Sequence, residues 1–528
     1  MQEEHLTIPS QAPSEAAPPT GYDVLVEVRP QGLLRRFLTT WRHFGGLFFG
    51  GLDSWVRTRQ PEQRHGLRYR PVQLVAALGR PFVDRRLRQL PFPVHLRKRL
   101  EILGPTYIKL GQILSLREDI LPLEITRELK NLLDRLPALP YERYLARLET
   151  ELPRPLAEVF ARVDPEPLGS ASIGQIHRAD LVTGEAVIVK LVKPGIRETL
   201  RRDVVLLRLL GLCLQTFLAR LQPRRLIREF CDYTVREVDL RLEADNAEVF
   251  AANFEDEPDI VFPHIYREYT TRNLIVMEFF DGLKPSDPRV RERYSEEDLD
   301  RVIDLGAAAI IRMLYRDGFF HADLHPGNLV IMHGPRAGFI DLGMVGRFDE
   351  ELRRTLLYYY YCLVMGDAEN AARYLAAIAQ PGPRADVRAF RRNVEDVCRR
   401  WQRSAKFSEF SIGRLILESV SRGVVHRMYF PVEMVLMVKA IVTFEGVGNY
   451  LKPGFDVAAV SRSHINRLFL SQFSPLRVAR EGLRGAPELV DALVKAPMLV
   501  TEGLRVLEAT TRRPPQNPFT GIRGTIFA

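Results

Sequence analysis

Apolar positions along this chain switch between helical and alternating spacing, and the switches mark its elements. Leu33, Leu34, Phe37, Leu38, Trp41, Phe44, Leu47, Phe48, Leu52 and Trp55 recur every three or four residues, which predicts a helix with an apolar face. Arg35, Arg36, Arg42 and His43 fall largely elsewhere around that wheel. Gly45, Gly46, Gly50 and Gly51 interrupt it, each costing roughly 1 kcal/mol relative to Ala in a helix interior. A second helical stretch, LGPTYIKLGQILSLREDILP, is followed by helical pattern to about residue 160, with breaks at Pro137 and Pro140. Strand patterning then begins near Leu168. PLGSASIGQIHRADL and AVIVKLVKPG read as a hairpin turning at Val182-Thr183-Gly184-Glu185. Long helices are predicted at about 196–220 and 224–254, and IVFPHIYREY with RNLIVMEFFDG as another hairpin. From about 295 to 450 helices dominate, apart from two short strands, Leu329–Ile331 and Gly338–Ile340, joined by a turn holding Gly334 and Pro335. The tail from about 475 is amphipathic and ends Pro-rich, and residues 1 to about 20 have a disordered composition.

Composition changes this picture little. With 46% hydrophobic and 27% charged residues in 528, the balance is that of a globular chain, long enough for a two-lobed domain with attachments. The four cysteines, Cys213, Cys231, Cys362 and Cys398, show no C-x-x-C spacing and are expected as buried thiols of a reducing compartment. The N-terminus lacks a basic head followed by an apolar core, so no secretory signal is read there. No run of about 18 uninterrupted apolar residues plainly spans a membrane.

The net charge of +9 is modest, but arginine is dense from the aromatic helix through RRLRQLPFPVHLRKRLE. Nucleic acid is disfavoured as a partner because no recognition module accompanies the arginines. An anionic membrane face suits them better, and an ordinary solvated face is the plainer alternative. The helix at 33–56 leaves two expectations open. It lies in a bilayer interface, or it packs on the main domain with its arginines in water.

The chemistry concentrates in GFFHADLHPGNLVIMHGPRAGFIDLGMVGRF, Gly318 to Phe348. Asp323 stands two residues after His321, Asn328 five residues later, and Asp341 opens a D-L-G turn after an apolar strand. That order matches protein-kinase-like phosphotransferases, where an H-x-D aspartate meets the attacking hydroxyl and an Asn and a D-x-G aspartate hold Mg²⁺. His321, Asp323 and His325 in alternation would also serve as metal ligands on a strand end, as in a metallohydrolase. The hairpin downstream decides against that, because it sets Asn328 and Asp341 side by side.

Upstream features fit the same chemistry. Gly169, Ser170, Ala171, Ser172 and Gly174 make a small-residue loop whose backbone could approach phosphates, and Lys190 sits on the following strand where phosphate-holding lysines lie. Met277-Glu278-Phe279 falls at the hinge between lobes, where Glu278 and Phe279 offer backbone groups to an adenine edge. Lys109 and Gln112 project from one face of an otherwise apolar helix. Asp239 and Glu243 form a like-charged i,i+4 pair, with Glu237 on another face. A solvated acidic face is the ordinary explanation of these acids, but Lys109 and Lys190 offer them cations to dock against. No A-P-E segment precedes the helix carrying Tyr358 to Tyr361, which argues against a protein kinase.

Taken together, YIKLGQ, SASIGQIH, VIVK, EVDLRLEADN, HADLHPGN and IDLG resemble, in order over about residues 100–350, the UbiB (AarF) family of atypical protein-kinase-like proteins. The resemblance implies an α+β, bilobal protein-kinase-like fold with added N- and C-terminal helical extensions. It divides the chain into a disordered tail (1–20), a basic amphipathic helical region (21–100) and a K-x-G-Q extension (101–165). An N-lobe with inserted helices (166–285), a C-lobe (286–450) and an amphipathic helical tail (451–528) follow.

It further implies an alanine-rich loop in place of a glycine-rich one, a character Ala171 keeps and Gly169 and Ser170 dilute. The K-x-G-Q helix would cover the cleft, with Lys109 and Gln112 facing Glu237 and Asp239, and with Glu243 orienting Lys190. Lys190 would position phosphates, Asp323 would act as base or water-orienting group, and Asn328 and Asp341 would bind Mg²⁺ beside ATP. The family is linked to ubiquinone or other isoprenoid-lipid synthesis and is ATPase-like rather than protein-phosphorylating. Expected partners are therefore an isoprenoid lipid or quinone precursor, an anionic membrane surface and other quinone-biosynthesis enzymes. Expected placement is cytoplasmic, peripheral at the inner face of a membrane.

Two departures stand out: Leu324 replaces a proline common in relatives, and the pair of C-terminal apolar spans many relatives carry is not found. Two other functions remain open. One is a small-molecule kinase like the aminoglycoside phosphotransferases, which share H-x-D-x-x-x-x-N but not K-x-G-Q; the other is a nucleotide-gated scaffold with negligible turnover.

Overall fold

Four glycines do not break the first helix. In the computed structural model, which describes residues 32–58, 69–79, 90–115, 121–132, 138–170, 173–217, 222–403, 412–454 and 457–472, α1 runs unbroken over Leu33–Thr58. The expectations for residues 1–20, for Pro137 and for the tail from 475 lie outside those residues. Chain contacts separate two compact units, residues 1–462 and 463–528, and all that follows concerns the first.

Helix α2 (Tyr69–Gly79), α3 (Phe92–Leu103) and α4 (Pro105–Ser115) come next, and α1 packs against α2 and α3. A side chain at Gly46 or Gly50 would collide with Arg99 or His95 of α3, so these glycines permit close approach instead of interrupting the helix. Arg36 is buried, contrary to the expectation that a packed helix would leave its arginines in water. Its Nε lies 2.7 Å from Oδ1 of the fully buried Asp203, and its Nη2 donates to Leu103 O at 2.7 Å.

Helix α5 (Tyr141–Glu151) backs a sheet of β1 (Phe160–Val163), β2 (Gly169–Ser170), β3 (Gly174–Leu181), β4 (Ala186–Val192) and a later strand. Tyr144, Leu148, Val187 and Val189 are buried together, and Tyr144 Oη donates to Val189 O at 2.9 Å. Alternation along β4 sends Val187, Val189 and Leu191 inward and leaves Lys190 on the other face.

Beyond α6 (Ile196–Phe217) the predicted helix 224–254 is two helices, α7 (Pro223–Glu237) and α8 (Leu240–Asn253). Asp239 causes the break, since its side chain accepts the Arg241 N–H as the N-cap of α8. Glu237 therefore ends one helix while Glu243 lies in the first turn of the next, with Asp239 as the cap between them.

The hairpin expected over residues 260–280 is also corrected. β5 (Ile260–Val261) pairs in parallel with β10 (Arg336–Phe339), whereas β6 (Leu274–Glu278) pairs with β4. A single bridge, Ile265 to Met277, keeps the two segments adjacent. Pro263 lacks an N–H for a continuous ladder and separates the part that joins one sheet from the part beside the other.

The second sheet runs β5–β10–β9–β7, with β7 at Gly282–Leu283 and β9 at Leu329–Met332. The chain passes from the first sheet to the second at Phe279-Phe280, where Phe280 is buried against Val330 and Met332. β8 (Phe319–His321) pairs with β11 (Val345–Arg347), and α9 (Glu350–Met365) carries Tyr358 to Tyr361.

Helices at Glu296–Ile311, Ala368–Ile378, Val387–Arg403 and Ile412–His426 surround these strands, followed by α10 (Val432–Leu451). By length and composition α10 could cross a membrane, but 61% of its most apolar window is buried within the protein. Three cysteines are buried as expected, whereas Cys213 is exposed on α6 near the likewise exposed Leu209 and Leu212.

Candidate active site

Lys190 is where three separated stretches of chain converge. Its Nζ lies 2.9 Å from both carboxylate oxygens of Glu243 on α8 and 3.4 Å from Oδ1 of Asp341, which follows β10. Glu243 is buried, but the Asp341 side chain keeps 45% of its exposure. Asp341 has φ +57, a left-handed backbone that aspartate tolerates better than most residues.

The charges divide accordingly. Lys190 holds the Asp341 carboxyl down to about 2. Burial pushes Glu243 up to about 7, outweighing the pull of Lys190. Burial also opposes the Lys190 charge, but Asp341 and Glu243 outweigh it and raise its pKa.

The H-x-D loop is fastened by its histidines. His321 is fully buried; its Nδ1 accepts the Asp323 N–H at 3.0 Å and its Nε2 faces Ile340 O at 3.5 Å. Burial lowers its pKa, so it is a neutral strut between the loop and the strand leading to Asp341. His325 Nδ1 likewise accepts the Gly327 N–H at 3.0 Å. With these nitrogens committed to the backbone, the histidine metal site has little support, and among the described residues no group of three or more His, Cys, Asp or Glu gathers to hold a metal.

Asn328 donates through Nδ2 to Asp323 O at 3.0 Å, which leaves its Oδ1 for a cation. The Ile340 N–H donates to Asn328 O at 2.9 Å, so Asn328 and Asp341 share one end of the β9–β10 hairpin. An amide oxygen and a carboxylate are a donor set that fits Mg²⁺, which binds few protein groups and takes its other oxygens from phosphates and water.

Lys109 on α4 is 15% exposed, forms an ion pair with Glu237, and is among the charges that lower the Asp341 pKa. Gln112, half-buried, lies on the same helix. Asp239 does not share this contact as expected. Arg241 and Arg272 take its carboxylate at 2.8 and 3.0 Å, and hydrogen bonds from Arg241 above all hold it at about 2. Its place at the start of α8 turns it to those arginines.

The expected nucleotide contacts are brought together only in part. Gly169 and Ser170 form β2, paired across from Ile176 and Gln175, while Ala171 and Ser172 lie outside the described residues. At the hinge, the N–H groups of Glu278 and Phe279 already donate to His264 O and Ala186 O, at 2.9 and 3.0 Å. An adenine would be read there by carbonyls or by N–H groups further along.

Sequence reasoning missed two contributors. Asn246 on α8 donates to Leu342 O at 3.0 Å and anchors the D-L-G turn. Lys439 on α10 places its Nζ 2.8 Å from Asp323 Oδ1. A lone cation on a long apolar helix was the available signal.

Comparison with known proteins agrees with this architecture. A family model described as the ABC1 atypical kinase-like domain matches residues 131–375, and the UbiB helical domain matches 396–456. The relative named "Probable protein kinase UbiB" in Marinobacter nauticus is 30% identical, covering 80% of this chain and 79% of its own. Its namesake in Pseudomonas paraeruginosa is 31% identical over 77% of each chain. An uncharacterized Synechocystis protein is 33% identical over 72% of this chain and 65% of its own. A solved complex of Rv3197 with erythromycin from Mycobacterium tuberculosis has a TM-score of 0.45 at 21% identity, covering 67% of this chain and 90% of that one, a likeness too loose to argue from. The kinase-like domain, the helical domain after it and the extent of these matches show that the chain belongs to the UbiB family of ABC1 atypical kinase-like proteins.

Proposed function

We propose that the cleft binds ATP with Mg²⁺ and acts on the terminal phosphoryl group, as an atypical kinase or ATPase supporting synthesis of ubiquinone or another isoprenoid quinone. The observation that carries this reading is Lys190, gripped by a buried carboxylate and near an open one. Glu243 keeps the ammonium aimed, while Asp341 can release it to incoming phosphates. Phosphoryl transfer asks mainly for positioning and charge stabilisation, which this arrangement provides. Asn328 and Asp341 would hold Mg²⁺, which neutralises phosphate charge when bound. Asp323, fixed by the neutral His321 strut, orients the attacking water or hydroxyl.

Thermal shift with ATP, with and without Mg²⁺, tests the binding. Stabilisation should require Mg²⁺ and should weaken in Lys190→Ala without loss of fold. A wild-type protein that shows no Mg²⁺-dependent response to nucleotide would end this reading.

The ion pair of Lys109 with Glu237 also suits a nucleotide-gated scaffold, in which binding moves α4 and turnover is negligible. Phosphate release, with and without liposomes bearing a quinone-precursor mimic, separates the two. Binding without release under every condition favours the scaffold, and a phosphorylated small molecule favours a phosphotransferase.

Membrane attachment belongs to the same proposal. The outward face of α1 leaves Leu34, Leu38, Trp41 and Phe48 exposed beside exposed Arg35 and Arg42, a composition suited to an anionic lipid surface at the inner face of a membrane. Flotation should succeed on anionic liposomes and decline at high salt. Equal recovery on neutral liposomes after a high-salt wash would remove the electrostatic part.

A further inference from the structure

Helix α10 reads VEMVLMVKAIVTFEGVGNYL, and Lys439 is its one cation. Met434, Val435, Met437, Val438, Ala440 and Ile441 around it are buried, and the lysine side chain keeps only 16% of its exposure. An ammonium in such surroundings is disfavoured by desolvation unless a partner compensates. The partner is Asp323 Oδ1 at 2.8 Å.

The loop that carries Asp323, from His321 to Asn328, contains no lysine or arginine. Lys190 is engaged by Glu243 and Asp341. The cation at Asp323 is thus supplied by a distant helix. Among the described residues, the other acceptor for Lys439 is Met344 Sδ at 3.7 Å, a weak one. Met344 lies just past the D-L-G turn, and its carbonyl accepts the Ala322 N–H at 2.9 Å. Lys439 therefore touches both segments that frame the reaction, with donor capacity remaining on its ammonium.

We propose that Lys439, delivered by the helical domain, is a functional cation of the phosphoryl-transfer site, orienting the Asp323 carboxylate and meeting terminal phosphoryl oxygens of bound ATP. This inference rests on the proposed ATP-binding function. A fixed positive charge aimed where negative charge gathers is the most effective single device such a site can hold. It also gives the helical domain a chemical role, since residues 396–456 supply a group that residues 131–375 do not contain.

The test compares nucleotides with and without the terminal phosphoryl. Wild type, Lys439→Met, Lys439→Gln and Lys439→Arg are titrated with Mg²⁺ and either ADP or a non-hydrolysable ATP analogue, and phosphate release from Mg²⁺-ATP is followed separately. In Lys439→Met and Lys439→Gln the analogue should bind about tenfold more weakly while ADP stays within about twofold. The kcat should fall more than KM rises, and Lys439→Arg should recover most of the analogue affinity.

An unchanged preference for the analogue over ADP in whichever neutral variant folds overturns the role, and so does an equal loss of both nucleotides. Wild type that binds neither nucleotide overturns the underlying function and this inference with it.

Discussion

Lys109 and Lys439 make a natural comparison, one from the helical region before the kinase-like lobes and one from the helical domain after them. Each is the one cation on an apolar helix, α4 or α10. Their side chains are 15% and 16% exposed, and each meets a carboxylate. The partners differ. Glu237 closes helix α7 and ties two helices together, whereas Asp323 stands on the loop that would meet the attacking group. The same desolvated ammonium is a latch in one place and a site cation in the other. Burial alone does not assign the role; the partner does.

The comparison collapses if the cleft is not a nucleotide site, so its largest test is Asp341→Asn. Loss of that carboxylate should abolish Mg²⁺-dependent stabilisation by nucleotide, an effect of about 2.7 kcal/mol at a hundredfold excess over Kd. Thermal shift measures it, and stabilisation as strong as wild type would show that Asp341 is not a ligand.

The latch is tested next, through Lys109 and Glu237. Removing either partner strands a mostly buried charge, and the pair's residual exposure reduces the cost to about 1–2 kcal/mol. The double variant Lys109→Met with Glu237→Gln should be less destabilised than the sum, with a coupling of about 1 kcal/mol in urea unfolding. Additive losses would mean the two residues do not act as a pair.

The third test sets the lysines apart directly. Lys109→Met should leave the preference for an ATP analogue over ADP within about twofold of wild type, while altering lipid-dependent ATP turnover. A Lys109→Met protein with the altered preference expected for Lys439 would erase the distinction. One fully active in lipid-dependent turnover would remove the latch from function.

Much of the site was legible because it is local. The strand after the small-residue loop carried Lys190, and a short hairpin set Asn328 beside Asp341. The pairing of Lys109 with Glu237 and of Lys190 with Glu243 was implied by the family resemblance and not by any local pattern. What was not legible depends on distant chain. Arg36 on a helical wheel looks solvated until Asp203, 167 residues away, is brought against it. β5 looks like the mate of β6 until β10 offers a parallel edge. The break after Glu237 had a local sign, an aspartate suited to cap a helix, but apolar spacing continues across Val238 and masked it. Lys439 also had its sign, a lone cation on an apolar helix, though nothing nearby in sequence names its partner.

The smallest expected effect separates the lysines through Glu243. Burial raises this carboxyl from its ordinary 4.5 to about 7, and the charge on Glu237 adds to the rise. A raised folded pKa means the native state holds the proton more tightly than the unfolded chain. The contribution of Glu243 to stability is therefore fullest below about 4.5 and is lost as pH rises towards 7. His321 and His177, lowered by burial, act in the opposite sense, gaining stability as pH rises through their folded values towards 6.5. Subtracting a Glu243→Gln variant isolates the carboxyl, and urea midpoints measured at about pH 5–8 should give a difference that declines with pH. Lys109→Met leaves Glu237 uncompensated, so its decline should extend to higher pH. Lys439 is not among the charges that chiefly move Glu243, so Lys439→Met should run parallel to wild type. A decline in Lys439→Met displaced as far as in Lys109→Met would show that both lysines act on one electrostatic cluster, and the contrast between latch and site cation would fail.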